Sequence, residues 1–214
     1  MKKGLFVLLA SAVIFAGCQS KEEKAAELIK EELSKTLLDF ESYQPIETKV
    51  KEAKLSLYND TAFWRKGMAL AYTMKQSSEY LDKAKEAKER MKIWGPPTAY
   101  SSSYSDEKYY EYKKEYEDAN SKALASAFIC KALAKTMKDS IAKCDTTKVI
   151  GWEVSHRFRC KTRGGNSTIA DYRYIIDKDF KTVLLREDTE DKDDKWTREA
   201  LETVLSGYWD DILN

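Results

Sequence analysis

One change of hydrophobic period constrains the fold of this chain more than any other feature. Mostly small or apolar residues recur at alternating three- and four-residue steps over residues 63–91 and again over 109–144, and from residue 149 buried positions recur at every second residue. The first rhythm is typical of helices that pack along a seam, and the second of a strand with one buried face. We therefore predict an α+β fold, with a small three- to four-stranded antiparallel sheet packed by N- and C-terminal helices and a long antiparallel helical hairpin inserted.

The hairpin is predicted over residues 60–144, because Gly95-Pro96-Pro97 must stop one helix before the next begins. Asp106 is the predicted cap of the second helix. At 1.5 Å per residue the hairpin should be about 50 Å long. The first seam is Phe63, Gly67, Leu70, Met74, Ser77, Leu81, Ala84, Lys88 and Met91. The second seam is Tyr109, Tyr112, Tyr116, Ala119, Ala123, Ser126, Cys130, Leu133, Met137, Ser140 and Cys144.

The remaining residues, 25–59 and 145–214, are predicted to form the α+β domain. The segment "VIGWEVSHRFRCK" alternates strictly, which predicts a strand that buries Ile150, Trp152, Val154, His156, Phe158 and Cys160. A glycine turn at "TRGGNS" leads to a partner strand, and "KTVLLRE" follows as a third. The earlier "YQPIETKV" is an edge-strand candidate because of its proline. The amphipathic segments 25–40 and 196–212 are the two covering helices, the latter preceded by an acidic linker, Glu187 to Asp194.

The N-terminus has the pattern of a targeting segment. Lys2 and Lys3 precede an apolar run, Leu5 to Ala16, that is too short for a membrane-spanning helix of about 20 residues. The run ends in Ile14-Phe15-Ala16-Gly17-Cys18, which resembles the lipobox of bacterial lipoproteins. By that resemblance residues 1–17 are a signal peptide, Cys18 carries the lipid, and 18–24 is a polar tether. An ordinary signal peptide with a coincidental cysteine is the alternative.

A second resemblance rests on the order of segments. A helix, "SYQPI", a helical insertion and "IGWEVSHRFR" are together similar to a group of uncharacterised Bacteroidetes lipoproteins. "KEE" just after Cys18 resembles the surface-export signal of that phylum, and Gln19 resembles outer-membrane sorting. The resemblance implies a cell-envelope location, namely an outer-membrane lipoprotein with surface exposure as an option. It implies no chemistry.

Charge and cysteine content exclude some functions. Without residues 1–17 the chain has 35 basic and 36 acidic residues, since Lys2 and Lys3 leave with them, and no basic block remains. Such a balance argues against a nucleic-acid partner. Cys130, Cys144 and Cys160 then remain. A Cys144–Cys160 disulfide and three buried free thiols are both compatible with the spacing.

His156 is the one histidine of the chain and therefore the natural candidate for catalysis. Cys160 lies about 13 Å further along the strand, too far to share a metal ion, and no Cys-x-x-Cys or Gly-x-Ser-x-Gly motif is present. We expect a packed, hydrogen-bonded histidine, no metal and no cofactor. Thr61 and Thr146 follow aspartates in a pattern that resembles the O-glycosylation motif of Bacteroidetes envelope proteins.

The segment 94–116 holds six of the 13 tyrosines. Tyrosines among serines are typical of adaptable binding loops, because tyrosine offers a large contact area with few rotatable bonds. Trp94, Tyr100, Tyr104 and Tyr110 are the candidate partner contacts at the hairpin tip. Alternatively, the tyrosines at 109, 112 and 116 are simply seam residues.

Three functions remain. The first is a non-catalytic, lipid-anchored envelope protein whose hairpin tip, or polar sheet face with Arg157, Arg159 and Arg173, contacts a protein or glycan. The second is an envelope enzyme or small-ligand carrier with a pocket around His156, Trp152 and Tyr172. We prefer the first, in which the chain is not an enzyme. A structural spacer whose hairpin pairs with another copy is a third possibility.

Overall fold

A computed structural model describes residues 19–211 of the chain. Cys18 and the predicted signal peptide lie outside these residues. The helices are α1 (Lys21–Thr36), a 3₁₀ turn (Phe40–Ser42), α2 (Thr61–Trp94), α3 (Ser103–Ile141), α4 (Lys192–Ser206) and α5 (Tyr208–Asp211). The strands are β1 (Gln44–Lys54), β2 (Val149–Lys161), β3 (Ser167–Ile176) and β4 (Val183–Asp188).

The predicted α+β class is confirmed. The four strands form one antiparallel sheet in the order β1-β2-β3-β4, and α2 packs against α3 as a hairpin inserted between β1 and β2. The described residues divide into two compact units, 19–52 with 151–184 and 53–150 with 185–211. We call them the sheet unit and the hairpin unit.

The sheet unit buries one face of β2 and β3 beneath α1. The pairing of β2 with β3 places His156 opposite Tyr172 and Val154 opposite Tyr174. The inward side chains of both strands then meet the apolar side of α1, which presents Ala25, Ile29 and Leu33. From Val154 onward the alternation along β2 is as predicted, since Val154, His156, Phe158 and Cys160 are buried and the residues between them are exposed. Before that point it is not, because Ile150 and Trp152 are only half-buried.

The turns and edges of the sheet follow local sequence. Gly165, in the β2–β3 turn, has a φ of 77°, a conformation in which a Cβ atom is strained. β1 lies at one edge of the sheet, where Pro45 and the exposed Lys49 and Lys51 discourage pairing with another chain. Gly151 is required for another reason, because a Cβ there would come within 2.0 Å of the carbonyl oxygen of Ile176.

In the hairpin unit, α3 contributes mostly small residues to the packing. The buried positions of α3 are Ala119, Ala123, Ser126, Cys130, Ala134 and Met137. On α2 the buried positions are Phe63, Trp64, Gly67, Leu70, Ala71, Ala84 and Ala87. Another face of α2 packs against α4. Because Gly67 has no side chain, Leu201 of α4 can pack close to the backbone of α2 there.

Three details of the predicted helices are wrong. Leu81 is 55% exposed and Lys88 is exposed; the predicted Ala84 is buried, and Ala87 takes the place of Lys88 in the seam of α2. Asp106 is not the cap of α3, which begins at Ser103 with Ser102 as its N-cap. The predicted tether is shorter than expected, since Ser20 and Glu23 form a capping box that starts α1 at Lys21.

The segment predicted as an acidic linker is structured. Glu187 lies in β4 and is only 2% exposed. Its carboxylate accepts two hydrogen bonds from Arg198 of α4, at 2.7 and 2.8 Å. Asp191 caps α4 by accepting from the backbone amides of Asp193 and Asp194. The Glu187–Arg198 pairing depends on tertiary packing and could not be predicted from sequence, whereas the Asp191 cap is a local signal that the sequence analysis missed.

Candidate functional site

His156 is sealed inside the sheet unit. The side chain is 1% exposed, and both ring nitrogens have partners at 2.9 Å: the Tyr43 hydroxyl at Nε2 and the Thr48 hydroxyl at Nδ1. The ring stacks on Phe158 with centroids 5.5 Å apart. Burial lowers the pKa of His156 to about 4. The ring is therefore a neutral, hydrogen-bonded packing residue near pH 7.

The other two residues of the candidate pocket are also engaged in packing. Trp152 stacks on Phe180 at 5.6 Å and lies beneath the ammonium group of Lys21, 3.8 Å from the ring centroid. Tyr172 meets Phe158 edge to face at 5.1 Å. All three residues of the candidate pocket therefore take part in aromatic packing.

In residues 19–211, no group of three or more histidine, cysteine, aspartate or glutamate side chains is arranged to hold a metal ion. Cys130, Cys144 and Cys160 are free thiols. Burial raises the pKa of Cys130 to about 11, so this thiol stays protonated and unreactive near pH 7.

The polar face of the sheet is less open than expected. Arg173 is only 9% exposed, because its guanidinium donates to the Glu153 carboxylate at 3.1 Å. This pairing lowers the pKa of Glu153 against the opposing effect of burial. Arg157 is exposed and lies 3.6 Å from Asp171. As a contact surface the face therefore keeps Arg157 and Arg159 but loses Arg173.

The hairpin tip presents aromatic side chains as predicted. Tyr100 is 99% exposed, and Tyr104 and Tyr110 are 59% and 56% exposed. Trp94 is half-buried at the end of α2, and its ring meets that of Tyr104 edge to face at 5.5 Å. The seam tyrosines at 109, 112 and 116 are half-buried. Exposed and packed tyrosines thus both occur in this segment.

Hydrogen bonds within the tip hold its loop in shape. The backbone amide of Thr98 donates to the Ser101 hydroxyl at 3.0 Å, and that hydroxyl also contacts the Asp106 carboxylate. Ser102 accepts from the amide of Ser105 at 3.1 Å. Tyr100 is therefore presented from an ordered turn, which lowers the entropy cost of a contact there.

The two glycosylation candidates lie at helix boundaries. Thr61 is the first residue of α2, next to its cap Asp60, and Thr146 is exposed in the turn between α3 and β2. Asp145 accepts from the amide and the hydroxyl of Thr147 in that turn.

One surface feature was missed by sequence analysis. A groove of about 360 Å³ runs between α2 and α4, lined by Ala71, Met74, Lys75, Ser78, Glu79, Trp196 and Glu199. A second groove, of about 300 Å³, lies along the same two helices and shares Ala71, Lys75 and Trp196. The ammonium group of Lys75 lies 4.8 Å from the centroid of the Trp196 ring. Trp196 was predicted as a covering residue of the last helix, whereas it is 39% exposed in this groove.

The chain matches no known protein-family model, no curated protein and no solved structure. Among residues 19–211, no helix combines the length and the apolar character that crossing a membrane requires.

Proposed function

We propose that this protein is a lipid-anchored component of the bacterial cell envelope that binds a protein or glycan partner through the hairpin tip and performs no catalysis. The observation that carries this proposal is the contrast between His156 and Tyr100. The one histidine is buried with both nitrogens hydrogen-bonded, whereas the tip offers a tyrosine that is 99% exposed on an ordered loop. The lipobox-like sequence ending in Cys18 supports the anchor.

The binding surface consists of Trp94, Tyr100, Tyr104 and Tyr110. Aromatic side chains are the residues that most often dominate binding energy, because each buries a large area with few rotatable bonds. The Trp94–Tyr104 contact fixes two of these rings before any partner arrives.

The tip is tested by comparing partners captured from intact envelopes by the wild type and by the Tyr100→Ala/Tyr104→Ala variant. Tyr72→Ala is the matched control, because Tyr72 is 63% exposed on α2 but outside the tip loop. We expect a partner captured by the wild type and by Tyr72→Ala to be lost from the tip variant. Identical partners for all three proteins would refute the tip as a contact site.

The anchor is tested separately by detergent phase partitioning of full-length protein from envelopes. We expect the wild type in the detergent phase and Cys18→Ser in the aqueous phase, because two or more acyl chains hold a protein firmly on a bilayer. The same partitioning for both proteins would contradict lipidation of Cys18.

A small-ligand carrier is the second candidate, and the groove at Trp196 favours it over a site at His156. Its volume of about 360 Å³ is within the range of ligand pockets, and an aromatic ring with convergent charged groups is a common lining. Native mass spectrometry of the protein purified from envelopes tests this function. A bound small molecule in the wild type, absent from Trp196→Ala, is expected of a carrier, and an empty wild type contradicts it.

A further inference from the structure

The groove between α2 and α4 brings one aromatic ring and two carboxylates to the same wall of the hairpin unit. Ala71, Lys75 and Glu79 follow one another at four-residue steps, so they share one face of α2. Trp196 and Glu199 are three residues apart and share one face of α4. Ala71 is buried, whereas both glutamates are exposed. The groove of about 360 Å³ therefore combines apolar surface with carboxylates that water reaches.

The Trp196 ring also lines the second groove along these helices. That groove, of about 300 Å³, adds Met68 and Tyr72 from α2 and Asp193 from α4. Met68 is 49% exposed and Tyr72 is 63% exposed. One partly exposed indole ring is thus common to two cavities whose walls contain further apolar and aromatic side chains.

The charges that line the two grooves are unequal. The carboxylates of Glu79, Asp193 and Glu199 stand against the single ammonium group of Lys75. Among residues 19–211, neither Glu79 nor Glu199 has a hydrogen-bond or ion-pair partner for its side chain. A cleft lined mainly by one sign of charge attracts the opposite charge. The grooves therefore favour a cation over an anion.

Lys75 shows what kind of group the Trp196 ring accepts. The ammonium group lies 4.8 Å from the ring centroid, within the distance of about 6 Å at which a cation is attracted to the face of an indole. Lys75 is exposed and carries this charge on a flexible stem of four carbons. An ammonium group from outside the chain can therefore take its place on the ring.

We propose that the groove binds a small organic cation, in which an ammonium group is attached to an apolar body. The ammonium group lies over the Trp196 ring in place of Lys75, and the two unpartnered glutamates supply the opposite charge. The apolar body lies against Ala71 and Met74. This inference rests on the carrier function proposed for the groove and names the chemical class of its ligand.

The first test follows the indole N–H resonance of Trp196 in the isotope-labelled chain from Ser20 to Asn214, which keeps every helix and strand that the structure describes. The probes are tryptamine, tryptophol and indole-3-propionate, which carry an ammonium, a hydroxyl and a carboxylate group on the same apolar ring. We expect tryptamine to bind about tenfold more tightly than tryptophol, and indole-3-propionate to bind most weakly. Equal affinities for the three probes, or no shift with any of them, overturn the proposal.

The tryptophans outside the groove are internal controls for this titration. Trp196→Phe identifies the resonance of Trp196 by its loss from the spectrum. The resonance of Trp94, at the hairpin tip, should stay in place while that of Trp196 shifts. Tryptamine that shifts both resonances with the same affinity binds aromatic surface without regard to the groove, and this result overturns the proposal.

The second test removes the two carboxylates and keeps their size. Glu79→Gln/Glu199→Gln should reduce the affinity for tryptamine to that for tryptophol, because the cation then loses its opposite charge. Glu86→Gln/Glu89→Gln is the matched control, since it removes two carboxylates from α2 that lie outside both grooves. A groove variant that keeps the preference for tryptamine, or a control that loses it, contradicts the proposed site. Circular dichroism checks that each variant is folded.

The third test concerns the competition between Lys75 and the ligand. Lys75→Met removes the ammonium group and keeps an apolar side chain, so the affinity for tryptamine should rise about threefold. Lys83→Met is the matched control, because Lys83 lies on α2 outside both grooves and its loss should leave the affinity unchanged. Weaker binding of tryptamine by Lys75→Met would show that Lys75 contacts the ligand directly, which overturns the proposal.

Native mass spectrometry of the protein purified from envelopes separates this inference from the carrier function on which it rests. A bound organic cation in the wild type supports both. A bound anion or neutral molecule that Trp196→Ala loses contradicts the ligand class and leaves the carrier function standing. An empty wild type that still prefers tryptamine contradicts the carrier function and supports the ligand class.

Discussion

The sheet unit and the hairpin unit bury their residues in opposite ways. In the sheet unit the large side chains are inside, and Phe158, Tyr174 and His156 are at most 1% exposed. In the hairpin the seam is made largely of alanines, while Phe128, Leu81 and Ile93 are more than half exposed. A core of large residues buries most of the large apolar side chains of its own unit. A seam of small residues leaves large apolar side chains exposed on the outer faces of the helices, where they are available for other contacts.

The largest difference in the free energy of unfolding should come from removing one phenylalanine ring from each unit. Phe158→Ala should lower the free energy of unfolding by about 3–5 kcal/mol, because a buried ring leaves a cavity. Phe128→Ala should change it by at most about 0.5 kcal/mol in dilute solution, since that ring is exposed. Urea denaturation measures both. Similar losses for the two variants would remove the distinction between the units.

A second effect is the pH dependence that His156 gives to the sheet unit. Its folded pKa of about 4 lies below the ordinary 6.5, so the unfolded chain binds the proton more tightly. The stabilisation is therefore complete above pH 6.5 and is lost as the pH falls from 6.5 towards 4. The loss should reach about 3 kcal/mol, at about 1.4 kcal/mol per pKa unit.

The measurement is the unfolding free energy from pH 7.5 to 4 for the wild type and His156→Gln. Carboxylates titrate near the lower limit in both proteins, so the difference between the two curves isolates the histidine. Parallel curves would mean that His156 is not sealed from water.

The third effect tests the close packing of α2 on α4 in the hairpin unit. Gly67→Ala should destabilise by about 1–3 kcal/mol, because the new methyl group overpacks the site. A Cβ atom added at Gly67 would lie 2.8 Å from the Leu201 side chain. In a Leu201→Ala background the same substitution should be neutral or stabilising, since alanine favours helix by about 1 kcal/mol over glycine. Thermal denaturation of the wild type, the two single variants and the double variant gives the coupling free energy between positions 67 and 201. Additive changes in stability would contradict the contact.

The smallest effect should be at Leu81, where the seven-residue rhythm and the structure disagree. Leu81→Lys should change stability by at most about 0.5 kcal/mol, because the side chain is 55% exposed. Leu70→Ala, at a fully buried position of the same helix, should cost about 2–5 kcal/mol. A large loss of unfolding free energy for Leu81→Lys in urea denaturation would show that Leu81 packs in the seam.

The local pattern of hydrophobic residues was sufficient to predict much of this fold. Strict alternation identified the buried side of β2, because successive side chains of a strand point to opposite faces. The glycines and prolines between helices and strands identified the turns. All predicted seam positions within α3 are at least half-buried. The exposed tyrosines of the tip were likewise predicted, since a serine-rich loop between two long helices must lie at the surface.

The sequence by itself therefore determined the class of the fold, the inward face of β2 and the aromatic tip. Only the tertiary structure decided that Tyr43 and Thr48 engage the two nitrogens of His156, that Arg173 pairs with Glu153, and that Ala87 replaces Lys88 in the seam. Periodicity reports which side of a helix or strand avoids water. It carries no information about which distant residue arrives on that side, because such partners are selected by the packing of segments far apart in the chain.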